Sequence, residues 1–113
     1  MGFYFSYADG AGPGFDVPGH VMADVREVLR IAVAHAGADC PVQVHKFESN
    51  DGWHVGPEEC RAIADLLDGA EAEKAVSTYG TFVDGIPDGL VGEVRALGEF
   101  SAQAVERGGF HVS

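Results

Sequence analysis

Little of this 113-residue chain is basic, and almost none of it is sulfur. Seven Lys and Arg stand against eighteen Asp and Glu, a formal net charge of −11. A surface of that sign repels phosphate, so nucleic acid is not an expected ligand, and anionic membrane surfaces are disfavoured for the same reason. The two cysteines, Cys40 and Cys60, lie in no CxxC pattern that would suggest a metal ribbon or a redox pair. No apolar run approaches the roughly 18 residues of a membrane helix. The stretch Met1 to Asp9 lacks the basic start and long apolar run of a secretion signal. The expectation is therefore a cytoplasmic protein with both thiols reduced and Cys60 packed as a small apolar residue. Linkers, low-complexity tracts and charge blocks are also missing, which predicts a single compact domain over residues 1–113.

What is present is ordinary globular material: 46% hydrophobic and 10% aromatic residues, enough for one core and too much for general disorder. The near-continuous aromatic run Phe3-Tyr4-Phe5-Ser6-Tyr7 predicts a strand buried on both faces. From Asp9 to Gly19 the glycines and prolines predict a loop, which is long enough to act as a lid. Val21, Val25, Val28, Leu29, Ala32 and Ala36 recur at three- and four-residue spacing, giving a helix over 20–36 that Gly37 ends. Residues 42–47 and Trp53-His54-Val55 read as two strands joined through Asn50-Asp51-Gly52, a hairpin. Pro57, Glu58 and Glu59 suit the positive end of a helix whose apolar stripe is Cys60, Ile63, Ala64 and Leu67. Gly69 closes that helix, and residues 70–76 are able to resume it. Residues 78–89 are broken by glycine and proline, with Phe82 and Ile86 expected as anchors into the core. A last helix over 88–107, capped by Asp88 and stopped by Gly108-Gly109, leads to a tail strand at Phe110-His111-Val112. The sum is an α+β fold, with a small, mainly antiparallel sheet of three or four short strands packed on one face by about three helices.

Gly52-Trp53-His54-Val55 and Gly109-Phe110-His111-Val112 share one pattern: glycine, aromatic, histidine, valine. Side chains alternate across a strand, so each aromatic and valine points one way and each histidine the other. Pairing Phe47 with Trp53 sets Lys46 opposite His54. His45, Phe47, Trp53 and Val55 then share the core face, with His45 at its margin, and Lys46, His54 and His111 face solvent. His54, His111, Lys46, His45 and Trp53 are accordingly the candidate binding residues. Two imidazoles fall short of the three or four ligands of a zinc site, so no metal or cofactor is assigned, although Asp51 or Glu48 lies near enough in sequence to add a ligand. His35, at a helix C-terminus, suits a capping role, and His20 lies at the opposite end of the same helix.

Other motifs fail. Gly10-x-Gly12-x-Gly14 matches neither GxGxxG nor the Walker pattern, and Asp9 and Asp16 beside it repel phosphate. No GxSxG elbow exists, and the stripe position of Cys60 argues for burial over nucleophilic use, so no catalytic residue is assigned. The phrases 50–55, Glu59-Cys60-Arg61-Ala62-Ile63-Ala64 and Gly108-Gly109-Phe110 resemble those of small uncharacterised actinobacterial or phage-type proteins. The Ala/Gly/Val/Asp-rich, lysine-poor composition suits a high-GC bacterium. That resemblance implies no activity. The leading functional expectation is an acidic module that binds another protein or itself, through an aromatic patch near Phe15, Trp53 or Phe82. The alternatives are a metal-binding protein or enzyme using His45, His54 and His111, and an immunity or antitoxin-like partner of a basic protein.

Overall fold

The computed structural model describes residues 2–49 and 51–113. Asn50, the first residue of the expected turn, lies outside them. The elements in chain order are β1 (Gly2–Tyr7), β2 (Phe15–Pro18), α1 (Gly19–Ala36), a 3-10 turn (Val44–Phe47), β3 (Trp53–Val55), α2 (Pro57–Leu66), α3 (Gly69–Gly80), α4 (Leu90–Ala104), a second 3-10 turn (Val105–Arg107) and β4 (Phe110–Val112). The strands form one antiparallel sheet in the order β2-β1-β4-β3, so the expected α+β fold with a small antiparallel sheet is the observed one.

The sheet has one dry face and one wet face, as strand alternation requires. Phe5, Val17, Val55, Phe110 and Val112 are fully or almost fully buried against the helices. Tyr4, Asp16, Pro18 and His54 lie on the other face and are exposed. On the dry side, Phe5, Phe47, Phe100 and Phe110 make tilted and edge-to-face ring contacts, the arrangement that aromatic quadrupoles favour. Tyr7 stacks on Phe100 with centroids 4.4 Å apart. From the helices, Met22, Val25, Val28 and Leu29 of α1, Ile63 of α2 and Leu90, Val94 and Leu97 of α4 complete the core. At Gly98 a Cβ would lie 2.8 Å from the Leu67 carbonyl oxygen, so only glycine lets α4 approach the end of α2 this closely.

Five expectations need correction. Strand β1 is buried on one face only: Phe5 and Tyr7 are buried while Tyr4 on the other face is 43% exposed. The loop expected over residues 9–19 contains β2. The Phe15–Pro18 segment pairs Val17 with Phe3 and Asp16 with Tyr4, because the aromatic strand beside it offers an apolar face that the glycines around it do not forbid. Residues 42–47 form no strand. Val44–Phe47 make a 3-10 turn that buries Phe47, so the partner of β3 is the tail strand β4 instead of a neighbouring hairpin arm. Phe82 and Ile86 are 75% and 41% exposed and do not anchor in the core. The N-cap of α4 is Gly89 in the left-handed region (φ 83°), with no side-chain cap from Asp88. Helix α1 matches its expected span, and the tail strand forms where alternation placed it.

Candidate functional site

Three residues of each repeated pattern meet: β3 and β4 are neighbours, Trp53 and Val55 pair with Val112 and Phe110, and His54 stands directly opposite His111. On its other side His111 faces Ser6 of β1. Backbone bonds between Tyr4 and Ser113, in both directions, fix the β1–β4 register. The amide and carbonyl of His111 thus turn toward β1, which makes His54–His111 a non-hydrogen-bonded pair, the kind whose side chains stand closest. The two ring centroids are 5.1 Å apart at an interplanar angle of 43°. His54 Nε2 lies 3.0 Å from the Gly108 carbonyl oxygen. A carbonyl only accepts, so Nε2 carries the proton and Nδ1 keeps the lone pair.

The other three candidates sit elsewhere. Lys46 does not point outward beside the histidines. Its Nζ donates to the His54 carbonyl oxygen at 2.7 Å and to Glu59 Oε1 at 2.6 Å, with both charged side chains mostly sequestered. Glu59 Oε2 also accepts from the Gln43 amide at 3.3 Å, and Oε1 lies 3.5 Å from the Gly56 amide. This buried carboxylate therefore knits the 3-10 turn, the edge of β3 and the start of α2 together. In the sequence the helix dipole alone accounts for Glu59, and nothing local marks it as the hub. Trp53 lies on the valine side of β3 but at the sheet margin, 40% exposed. Its Nε1 donates to Ser49 Oγ at 3.0 Å, and His45 packs perpendicular to it with centroids 5.2 Å apart. His45 is thereby held on the side opposite His54. Among the described residues no group of three or more His, Cys, Asp or Glu side chains converges as a metal cage, so His45, His54 and His111 form no three-ligand site.

Cys60 is fully buried, and burial, reinforced by the neighbouring Glu59 charge, pushes its thiol up to about 12. Such a thiol is protonated and unreactive at neutral pH, which excludes it as a nucleophile. Tyr79 is likewise pushed up to about 12, chiefly by the hydrogen bond it donates to Asp24. That bond ties α3 to α1. A depression of about 900 Å³ lies between the end of α1 and α3, floored by Ala32, Ala36 and Ala75 and rimmed by His35, Glu71 and Lys74. On its rim Lys74 is engaged by Glu71.

Among the described residues, the most exposed large apolar side chain lies in none of these places. Phe82 follows α3 in the loop 81–89, with Asp84, Ile86 and Asp88 beside it. Local backbone bonds shape its turns. The Phe82 amide donates to the Tyr79 carbonyl at 3.0 Å, the Gly85 amide to Val83 at 3.1 Å and the Leu90 amide to Pro87 at 3.2 Å. Ile86 folds back against Gly80, where a Cβ would meet its Cδ1 at 2.6 Å. Of the three aromatics expected to mark a patch, Phe82 and Trp53 are exposed, while Phe15 is partly buried and stacks on Phe5 with centroids 5.5 Å apart.

Among the described residues no helix is long and apolar enough to cross a membrane. Compared with protein-family models, with curated proteins and with solved structures, the chain matches none.

Proposed function

We propose that this chain is a protein-interaction module whose α3–α4 loop engages a partner that offers an apolar pocket with a basic rim. Phe82 carries the reading. A phenylalanine left 75% exposed gives up burial worth about 1.5–3 kcal/mol, and it does so directly after α3, where its amide donates to the Tyr79 carbonyl. A pre-ordered aromatic anchor loses little entropy on docking, which is what hot-spot residues at interfaces require. Asp84 and Asp88, both exposed on the same loop, supply its negative charge.

Charge argues for a basic partner over a second copy. Two copies meeting at this loop would bring four aspartates together, on chains that each carry −11. An immunity or antitoxin-like role against a basic protein is one biological form of the same reading.

The test is a photo-crosslinking amino acid at position 82, with a second placement at Glu58 as control, followed by titration of the purified captured protein. The expected result is one dominant adduct at 82, to a protein whose binding weakens with salt and falls by roughly tenfold or more on Phe82→Ala. A partner that binds Phe82→Ala and Asp84→Asn/Asp88→Asn as well as it binds the unaltered chain contradicts the reading.

A further inference from the structure

We infer that His54 and His111 form a two-imidazole site for a divalent first-row transition ion on the open face of the sheet. The protein supplies two nitrogens, and water fills the remaining positions. The argument begins with distance. An imidazole nitrogen binds such an ion at about 2.0–2.1 Å, which puts the ring centroid roughly 3.2 Å from the metal. Two rings meeting one ion at angles between square and tetrahedral then have centroids about 4.5–5.2 Å apart. The observed separation is 5.1 Å, reached without moving either strand. Linear two-coordination needs the rings about 6.4 Å apart on the same reckoning, so the spacing fits a bent chelate.

A second observation is independent of that distance. Metal-bound histidines donate their other ring N–H to a backbone carbonyl or carboxylate, which fixes the tautomer and aims the lone pair. His54 has this partner already: Nε2 is 3.0 Å from the Gly108 oxygen. Gly108 is held by the turn that starts β4, with φ 79°, a conformation suited to glycine. His54 is therefore oriented to bind through Nδ1. The pair stands on the solvent face, with Ser6 as the cross-strand neighbour of His111, and the chain's charge of −11 concentrates cations around it. The expected preference is copper(II) first, with nickel and zinc weaker, following the general order for nitrogen sites.

The full chain is titrated with Cu²⁺ alone and Zn²⁺ alone. Binding is read by calorimetry and by quenching of Trp53, the single tryptophan, which is adjacent to His54 in sequence. One equivalent of copper is expected. His54→Asn and His111→Asn should each weaken it by tenfold or more, while His45→Asn, whose ring sits across Trp53, leaves it unchanged. On the unaltered protein, long-range ¹⁵N spectra of the imidazoles should show the zinc-bound nitrogen of His54 as Nδ1. Absence of saturable binding, binding that survives the double His54→Asn/His111→Asn change, or zinc on Nε2 of His54 would each overturn the assignment.

Discussion

Residues 52–55 and 109–112 carry the same four-residue pattern into the same sheet, yet Phe110 is completely buried and Trp53 is 40% exposed. Strand position accounts for the difference. β4 lies between β1 and β3, so Phe110 is flanked by Tyr7 and Val55 and packed by Phe5, Phe47 and Phe100. β3 is an edge, and Trp53 has only Val112 across from it, with His45 and Ser49 on the outer side. The backbone edge is managed separately: the outward carbonyl of His54 is taken by Lys46, which blunts the strand against pairing with another chain. At the opposite edge Pro18 withholds a donor from β2. Alternation sets which face a side chain takes, and the number of neighbouring strands sets how deeply it is buried.

The comparison breaks most sharply at the aromatics. Phe110→Ala should lower stability by about 3–5 kcal/mol, whereas Trp53→Ala should cost about 1 kcal/mol, both read by denaturant unfolding. The glycines give the next contrast. Gly109 has φ 92° and a Cβ there would strike the Val55 carbonyl, while Gly52 has φ 87° and open space around it. Gly109→Ala is expected to cost roughly 3 kcal/mol by strain plus clash, against about 1 kcal/mol for Gly52→Ala from the left-handed backbone alone.

Removing Lys46 should loosen β3 without loosening β4. Lys46→Ala leaves the buried Glu59 carboxylate without its cation and is expected to cost about 2–3 kcal/mol, a little under a fully buried pair. Hydrogen exchange should quicken at β3 and at Phe110 and Val112, whose amides face β3, while the His111 amide, which faces β1, stays protected. Beneath β3, Cys60 gives a pH signature. Its folded-state value is raised from 9 to about 12, so the stabilisation is complete below pH 9 and is lost as pH climbs to 12. Cys60→Ala should remove the part of the alkaline decline that starts at pH 9, leaving the part set by Tyr79 from pH 10 to about 12. The smallest effect lies away from both segments. The Ser101 hydroxyl is buried with no partner among the described residues, so Ser101→Ala should hold or raise stability, by about 1 kcal/mol at most, read by denaturant unfolding.

Much of this architecture was legible in the residues. Aromatic continuity revealed β1, three-and-four spacing revealed α1, and the repeated alternation predicted an outward histidine pair. The failures have physical causes. Glycine and proline around Phe15–Pro18 argued for loop, but a four-residue strand needs only one good neighbour, and β1 supplied it. Residues 42–47 alternate as a strand should, yet Lys46 is drawn to Glu59, an ion pair thirteen residues apart that no local pattern reveals. Phe82 and Ile86 were expected inside because they are apolar; hydrophobicity permits burial without requiring it. That exposed loop is where the functional proposal now rests.

The pairing of β3 with β4 underlies both the buried aromatics and the histidine pair, and a cross-strand disulfide tests it most directly. In a Cys40→Ser background, His54→Cys with His111→Cys should oxidise to an intramolecular disulfide in the folded protein, since non-hydrogen-bonded pairs place Cα atoms about 4.5 Å apart, within disulfide range. The melting temperature should rise with it. Failure to form that bond in the native state, or faster oxidation of the register-shifted pair Trp53→Cys with His111→Cys, would contradict the account.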